Sequence, residues 1–360
     1  YFDEESHMPK LVEGASPLEI RYAVSLPHSL LATVSLLCAT PQFEGLGEWL
    51  REVRASLPTD LLNELCLMIT FPGGYQRFTT ELLSCLPANP FDLSYEQLVA
   101  HLQDIPNVHY QAIALRALAR GATPAPQPSE LLDIMERPGE WAAYLAAADS
   151  PVDPQVVAAL VRDGNTLQDR LLASLDRFWH MRYAVEYKAT KPLMEHSVRY
   201  HQSQHYTPTF QDTFVSVTGR LVPEQIANQV PHVRTATFVP NCYVGPYVAY
   251  VQHGDQLIIF YNCRTTPAGP ALTDSAWLYP PLKALADETR LQILALLRGH
   301  ELYAQEIVQQ MHISQPAVSR HLNLMAAAGV LKIRREGNAK YYTVDEETLA
   351  KVVSALRSMA

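Results

Sequence analysis

The sequence predicts an α+β protein: a mainly helical amino-terminal domain closed by a small antiparallel sheet, then a separate carboxy-terminal domain of short helices and one hairpin. Three observations carry this expectation. From about Pro17 to His205 apolar residues recur at three- and four-residue spacing, as in Leu30, Leu31, Val34 and Leu37, the period of helices with one buried face. Near Gln211 the period shortens to two, in runs rich in β-branched and aromatic residues. Between Thr265 and Ser275 the segment TTPAGPALTDS holds two prolines, a glycine and few bulky apolar side chains, which reads as a linker.

Composition sets the limits. A chain of 360 residues that is 48% hydrophobic and 18% charged has material for two or three folded units and is neither disordered nor a small stapled domain. Its five cysteines are odd in number with no CxxC pair, so a reduced, intracellular protein is expected. No stretch approaches the roughly 18 uninterrupted apolar residues of a membrane span. Residues 1–7, YFDEESH, run into Met8 as a cloning scar does, and no signal-peptide pattern follows. The cytoplasm is the expected location. The expected divisions are the scar at 1–7, an effector or dimerisation domain at 8–264, a linker at 265–277 and the carboxy-terminal domain at 278–360.

Within the first domain Leu61, Leu62, Leu65, Leu67 and Met68 repeat the helical spacing, and Ser94 three residues before Gln97 forms a capping box for a helix to about Leu102. After the Pro-punctuated TPAPQPS (Thr123 to Ser129), Glu130–Met135 and Trp141–Ala148 are expected as short helices and Thr166 to about Tyr187 as a long one. Strands are expected at Phe214–Thr218, Thr235–Val239, Tyr247–Gln252 and Leu257–Tyr261, the last two joined by a turn at His253-Gly254-Asp255.

In the carboxy-terminal domain, LKALADETRLQILALL spans two helices, the second capped by Asp287 with Glu288 complementing its dipole. A further helix is expected over Glu301–Met311. After the tight connection His312-Ile313, Ser314 is a natural cap for SQPAVSRHLNLMAAAGV, and Pro316 sits in the first turn, where its missing N–H costs nothing. Val318, Leu322 and Met325 share one face and leave Gln315, Ser319, Arg320 and Asn323 on the other, the arrangement of a helix-turn-helix. Leu331–Arg335 and Lys340–Val344 flank Glu336-Gly337-Asn338 as a hairpin, and Glu346–Met359 closes the domain. Charge follows the same division. From Pro281 onward ten Lys/Arg face eight Asp/Glu, which leaves −11 of the net −9 on the first 280 residues; between Ser314 and Thr343 five cations face one anion.

LKALADETRLQIL, SQPAVSRHLNLM, AAGVL and REGNAKYYTV, in that order and spacing, resemble the ArsR-type winged-helix transcriptional regulators over about Pro280–Met359. The resemblance implies double-stranded DNA as partner and a homodimer that sets one recognition helix per subunit in successive major grooves, usually as a repressor released by an effector. More weakly, the amino-terminal region resembles the large extra domain of some such regulators.

The expected DNA-binding residues are Gln315, Ser319 and Arg320 toward base edges, His321 and Asn323 toward phosphate, Ser314 at the start of the same helix, and Arg334, Arg335, Asn338 and Lys340 on the wing toward phosphate or the minor groove. Many regulators of the family this chain resembles bind metal through thiolates in the segment that here reads Glu301-Leu302-Tyr303-Ala304-Gln305-Glu306. No cysteine occurs there, and the closing helix has no histidine, so no metal and no cofactor are expected. His196, His201 and His205 leave open a metal-responsive alternative, though the polar residues between them favour solvated histidines. No catalytic motif is present, so no enzyme is expected. A protein-interaction adaptor is the other alternative. Cys242 and Cys263 lie near strands that can pair, which leaves a redox pair or plain buried thiols open. Aromatic side chains at the helix-to-sheet transition suggest a pocket for a small-molecule effector at Trp179, Tyr183, Tyr187 and Tyr247, or simply a packed helix stripe.

Overall fold

A strand near the start of the chain and three strands from the far end of the large domain share one sheet. The computed structural model describes residues 18–41, 43–70, 77–87, 89–119, 125–148, 150, 152–204, 206, 209–266, 278–336 and 339–358; the expected scar and nearly all of the expected linker lie outside them. Strands β1 (Glu19–Tyr22), β2 (Thr235–Asn241), β3 (Ala249–His253) and β4 (Gln256–Asn262) are ordered β1-β2-β4-β3. The first two pairings are parallel and only β3 with β4 is antiparallel. The sheet is therefore mixed, which corrects the antiparallel sheet read from the sequence. The expected hairpin stands, with Gly254 at φ 55° supplying its left-handed turn residue. Ala236, Phe238, Val239, Leu257, Ile259 and Tyr261 are all fully buried, because helices cover both faces of the central strands, as parallel pairs require.

The same domain holds α1 (Leu26–Ala39), α2 (Glu48–Ser56), α3 (Thr59–Thr70), α4 (Arg77–Leu83), α5 (Tyr95–Asp104) and α6 (Asn107–Ala119). It continues with α7 (Pro128–Met135), α8 (Pro138–Ala147), α9 (Pro154–Arg162), α10 (Gly164–Phe178), α11 (Ala184–Ser203), α12 (Phe210–Thr218) and α13 (Glu224–Ala227). The Ser94–Gln97 capping box forms at α5. A π-helical turn at Trp179–Tyr183 joins α10 to α11, so the expected long helix extends further in both directions and carries a local widening. Helix α3 packs on α1 and α10, α6 on α4 and α10; α1 and α11 lie on β2, and α12 on β4. Truncating a fully buried side chain of this core, such as Leu65, costs about 2–5 kcal/mol.

Phe214–Thr218, expected as a strand, is the end of helix α12. The Thr209 side chain accepts from Asp212 N at the start, Gly219 at φ 67° terminates the helix, and Thr213, Phe214 and Val217 form its buried side. Cap and terminator outweigh five residues of alternation.

The carboxy-terminal domain has its own core, built on Ile293, Leu297, Ile307, Val318, Leu322, Met325 and Val330. Its helices are α14 (Tyr279–Leu285), α15 (Glu288–Leu296), α16 (Ala304–Met311), α17 (Gln315–Ala327) and α18 (Glu346–Ser358). Strands β5 (Leu302–Tyr303), β6 (Leu331–Glu336) and β7 (Ala339–Val344) form an antiparallel sheet ordered β5-β7-β6. The helix expected over Glu301–Met311 thus starts later, because Leu302 and Tyr303 pair with Tyr342 and Tyr341. Among the described residues no helix is long and apolar enough to cross a membrane.

Candidate nucleic-acid interface

His312 at φ 54° turns the chain sharply between α16 and α17. Ser314 occupies the N-cap of α17, although its side chain makes no capping bond there, and Pro316 lies in the first turn as expected. Val318, Leu322 and Met325 are fully buried, which fixes the rotation of the helix. Ser314, Gln315 and Ser319 are consequently exposed at its amino-terminal half, and Asn323 is half-buried further along.

Arg320 and His321 are placed differently. Both turn toward Glu44, a carboxylate of the loop between α1 and α2: Arg320 Nε is 3.7 Å from Glu44 Oε1, and His321 Nδ1 is 3.7 Å from Oε2. Arg290, only 10% exposed, reaches the same carboxylate at 3.3 Å and Asp287 at 3.7 Å, while its Nε donates to Ala284 O at 2.6 Å. The His321 side chain is only 14% exposed, so the expected phosphate contact requires Glu44 to be displaced. Neither Glu44 nor Arg290 was singled out by sequence reasoning. Glu44 is separated from Arg290 by 246 positions, and its only local cue is the neighbouring Gly45, where the backbone approaches the side chains of Pro246 and Leu324.

On the wing, Arg334 forms a two-pronged pair with Glu301 at 2.9 and 2.6 Å and lies over the Tyr341 ring. That bond holds the exposed Glu301 carboxyl below its usual range. Lys340 is exposed on β7, and Lys332 pairs with Asp345 at 3.6 Å. The Arg335 side chain and all of Asn338 lie outside the described residues.

The four aromatic residues expected to share an effector pocket do not meet in one. Trp179 and Tyr187 line a groove of about 770 Å³ together with Phe91, Tyr95, Lys188 and Lys191, and Trp179 stacks on Tyr95 at 4.2 Å. Tyr183 is 1% exposed and belongs to the core. Tyr247 lies elsewhere, edge-on to Phe43, with Glu44, Arg220 and Arg290 as its charged neighbours. The histidine cluster is also corrected. His201 is not solvated: it is 3% exposed, bonded through Nδ1 to the Tyr206 hydroxyl at 2.6 Å, and held by burial at a pKa of about 4. His205 lies outside the described residues, and among those described no three His, Cys, Asp or Glu side chains group as a metal site.

Residues 287–332 match the family model described as bacterial regulatory protein, arsR family. The HTH-type transcriptional repressor SmtB of Mycobacterium tuberculosis is 36% identical over 96 residues, which cover 26% of this chain and 70% of that protein. The transcriptional repressor SdpR of Bacillus subtilis is 39% identical over 67 residues, 19% of this chain and 74% of its own length. A solved structure of HlyU from Vibrio cholerae is 35% identical, covers 23% of this chain and 92% of its own, and has a TM-score of 0.21. Being 36% and 39% identical to SmtB and SdpR over more than two thirds of their lengths, the chain belongs to the ArsR family of DNA-binding transcription regulators.

Proposed function

We propose that the protein is an effector-responsive repressor that binds an inverted-repeat operator in cytoplasmic double-stranded DNA as a homodimer. The observation that carries the responsive part is the reach of Glu44, from the large domain, onto Arg320 and His321 of the recognition helix. In this reading Ser314, Gln315, Ser319 and Arg320 read bases, and His321, Asn323, Arg334, Arg335, Asn338 and Lys340 hold phosphate. The described conformation is then a restrained one. The Glu44–Arg320 ion pair, about a third exposed on each side, contributes only up to about 1 kcal/mol, whereas a base-edge contact contributes about 1–3 kcal/mol. DNA can therefore draw Arg320 away from Glu44 at a modest cost while Glu44 keeps Arg290, and anything that moves the Glu44 loop sets that cost. The groove beside Trp179 and Tyr187 offers room for a small-molecule effector.

Dimerisation is supported by apolar side chains left exposed on the carboxy-terminal domain: Val353 at 47% and Leu356 at 42%, one turn apart on α18, and Tyr279 at 58% on α14. Selection from random duplex DNA with the full chain tests the proposal. An inverted repeat with half-sites about one helical turn apart, bound with steep salt dependence, is expected; recovery of no preferred sequence would contradict it.

A further inference from the structure

Strands β2 and β4 run parallel with Asn241 opposite Asn262, so the next residue on each is a cysteine beside a cysteine. Both strands leave the sheet through matching turns. Asn241 Oδ1 accepts from the backbone of Tyr243 and Val244 at 2.8 and 3.0 Å, and Asn262 Oδ1 accepts from Arg264 N at 3.0 Å. Arg264 Nε also donates to Cys242 O, and Asn262 Nδ2 to Gly245 O, each at 3.0 Å. Locked in this way, Cys242 Sγ and Cys263 Sγ face each other at 3.1 Å, with the two residues 2% and 0% exposed. A disulfide needs sulfurs at about 2.05 Å, so closing the bond requires a shift of only about 1 Å. We propose that Cys242 and Cys263 are a redox modification site, a dithiol that a small hydroperoxide closes to a disulfide and a thiol reductant reopens.

The two thiols are not equivalent. The hydrogen bond from Cys263 lowers the Cys242 thiol below its ordinary pKa, with help from the Arg264 charge, while the same contact and burial push Cys263 up. With the Arg264 guanidinium bonded to its carbonyl, Cys242 is assigned as the attacking thiolate. Its sulfur takes the distal peroxide oxygen, the O–O bond breaks, and an alcohol or water leaves with a proton, giving a sulfenic acid. The Cys263 sulfur then attacks the Cys242 sulfur; the S–O bond breaks, the S–S bond forms, and the Cys263 proton departs with the hydroxyl as water. Two thiols lose two electrons and the hydroperoxide gains them.

The site adjoins the Glu44 loop. Gly47 N donates to Tyr243 O at 3.0 Å, and a Cβ on Gly47 would press on Tyr243, the residue after Cys242, at its Cα and ring, while one on Gly245 would strike Gly45 O. Backbones packed this closely transmit a 1 Å pull on Cys242 to residues 45–47, and hence to Glu44. The predicted consequence, which rests on the reading under Proposed function, is that oxidation loosens the hold on Arg320 and raises DNA affinity about fivefold.

The test treats the full chain with tert-butyl hydroperoxide, blocks free thiols and digests with trypsin. No Lys or Arg lies between Thr235 and Cys263, so one peptide, 235–264, holds both cysteines. The proposal expects that peptide to be unalkylated and two hydrogens lighter, to revert on dithiothreitol treatment, and to show no such loss in Cys242→Ser or Cys263→Ser. A peptide that stays fully alkylated, or a bond from Cys242 or Cys263 to Cys38, Cys66 or Cys85 instead, overturns it. In parallel, both redox states are titrated with the duplex selected on the reduced protein. A disulfide with unchanged or weaker DNA binding overturns the link to Glu44 alone, and absence of specific binding in both states overturns the repressor reading instead.

Discussion

The carboxy-terminal domain and the large domain differ in what their sequences spend on the surface and in the interior. The former carries a small positive surplus, a core drawn from within about 60 residues, and apolar side chains left uncovered on α14 and α18. The latter carries nearly all the negative charge and buries polar groups deeply, among them His28 at 4% and His201 at 3% exposure. The contrast separates a part that carries the DNA-binding helix-turn-helix from an acidic part that holds a fixed interior and disfavours phosphate. They touch at Glu44, which is where a change in one can be felt by the other.

Breaking the exposed apolar face should have the largest effect. Val353→Asp with Leu356→Asp is expected to give a folded monomer in sedimentation and to weaken binding to the selected duplex about a hundredfold or more, since the second half-site is no longer tethered to the first. A dimer of unchanged affinity would remove α18 from the interface. The next effect sharpens the other side of the contrast. Burial holds both His28 and His201 neutral, with pKa values pushed down to about 4, whereas an unfolded histidine titrates near 6.5. Between those values the unfolded chain binds more protons, so the stability is present above about pH 6.5 and is lost as pH falls toward 4. Urea melts should show the large domain losing a few kcal/mol between pH 7 and 4.5; a flat profile would mean that neither histidine is held neutral. A smaller effect is expected from Arg320→Ala, which should cost about 1–3 kcal/mol of specific binding in a gel-shift titration without changing the melts. Loss of stability instead would make Arg320 a structural tie to Glu44.

The carboxy-terminal domain was legible because its signals are local. The Asp287 cap, Pro316 in the first turn of α17, the Val318, Leu322 and Met325 stripe and the wing hairpin all lie within one or two turns of the residues they organise. Strand β1 carried no such cue: four residues, Glu19–Tyr22, are ordered by β2 more than two hundred positions away. That distant pairing also decided the direction of the sheet, which hairpin reasoning alone read as antiparallel. Phe214–Thr218 alternates like a strand, yet alternation over five residues is weaker than a Thr209 cap and a Gly219 terminator. For the site, residue types and helix face were readable, while the turning of Arg320 and His321 toward Glu44 was not. Gly45 marks a close backbone approach, but not that a guanidinium of α15 and two side chains of α17 converge on Glu44.

The central claim is that Glu44 restrains the recognition helix through Arg320 and His321, and a double-mutant cycle on DNA affinity tests it most directly. Glu44→Gln is introduced into the full chain and, separately, into the Arg320→Ala/His321→Ala chain, and each is titrated with the selected duplex at fixed salt. The account predicts that Glu44→Gln raises affinity about fivefold in the first background and less than about twofold in the second, a coupling of about 0.5 kcal/mol or more. An equal change in both backgrounds, or no change in the first, would contradict it.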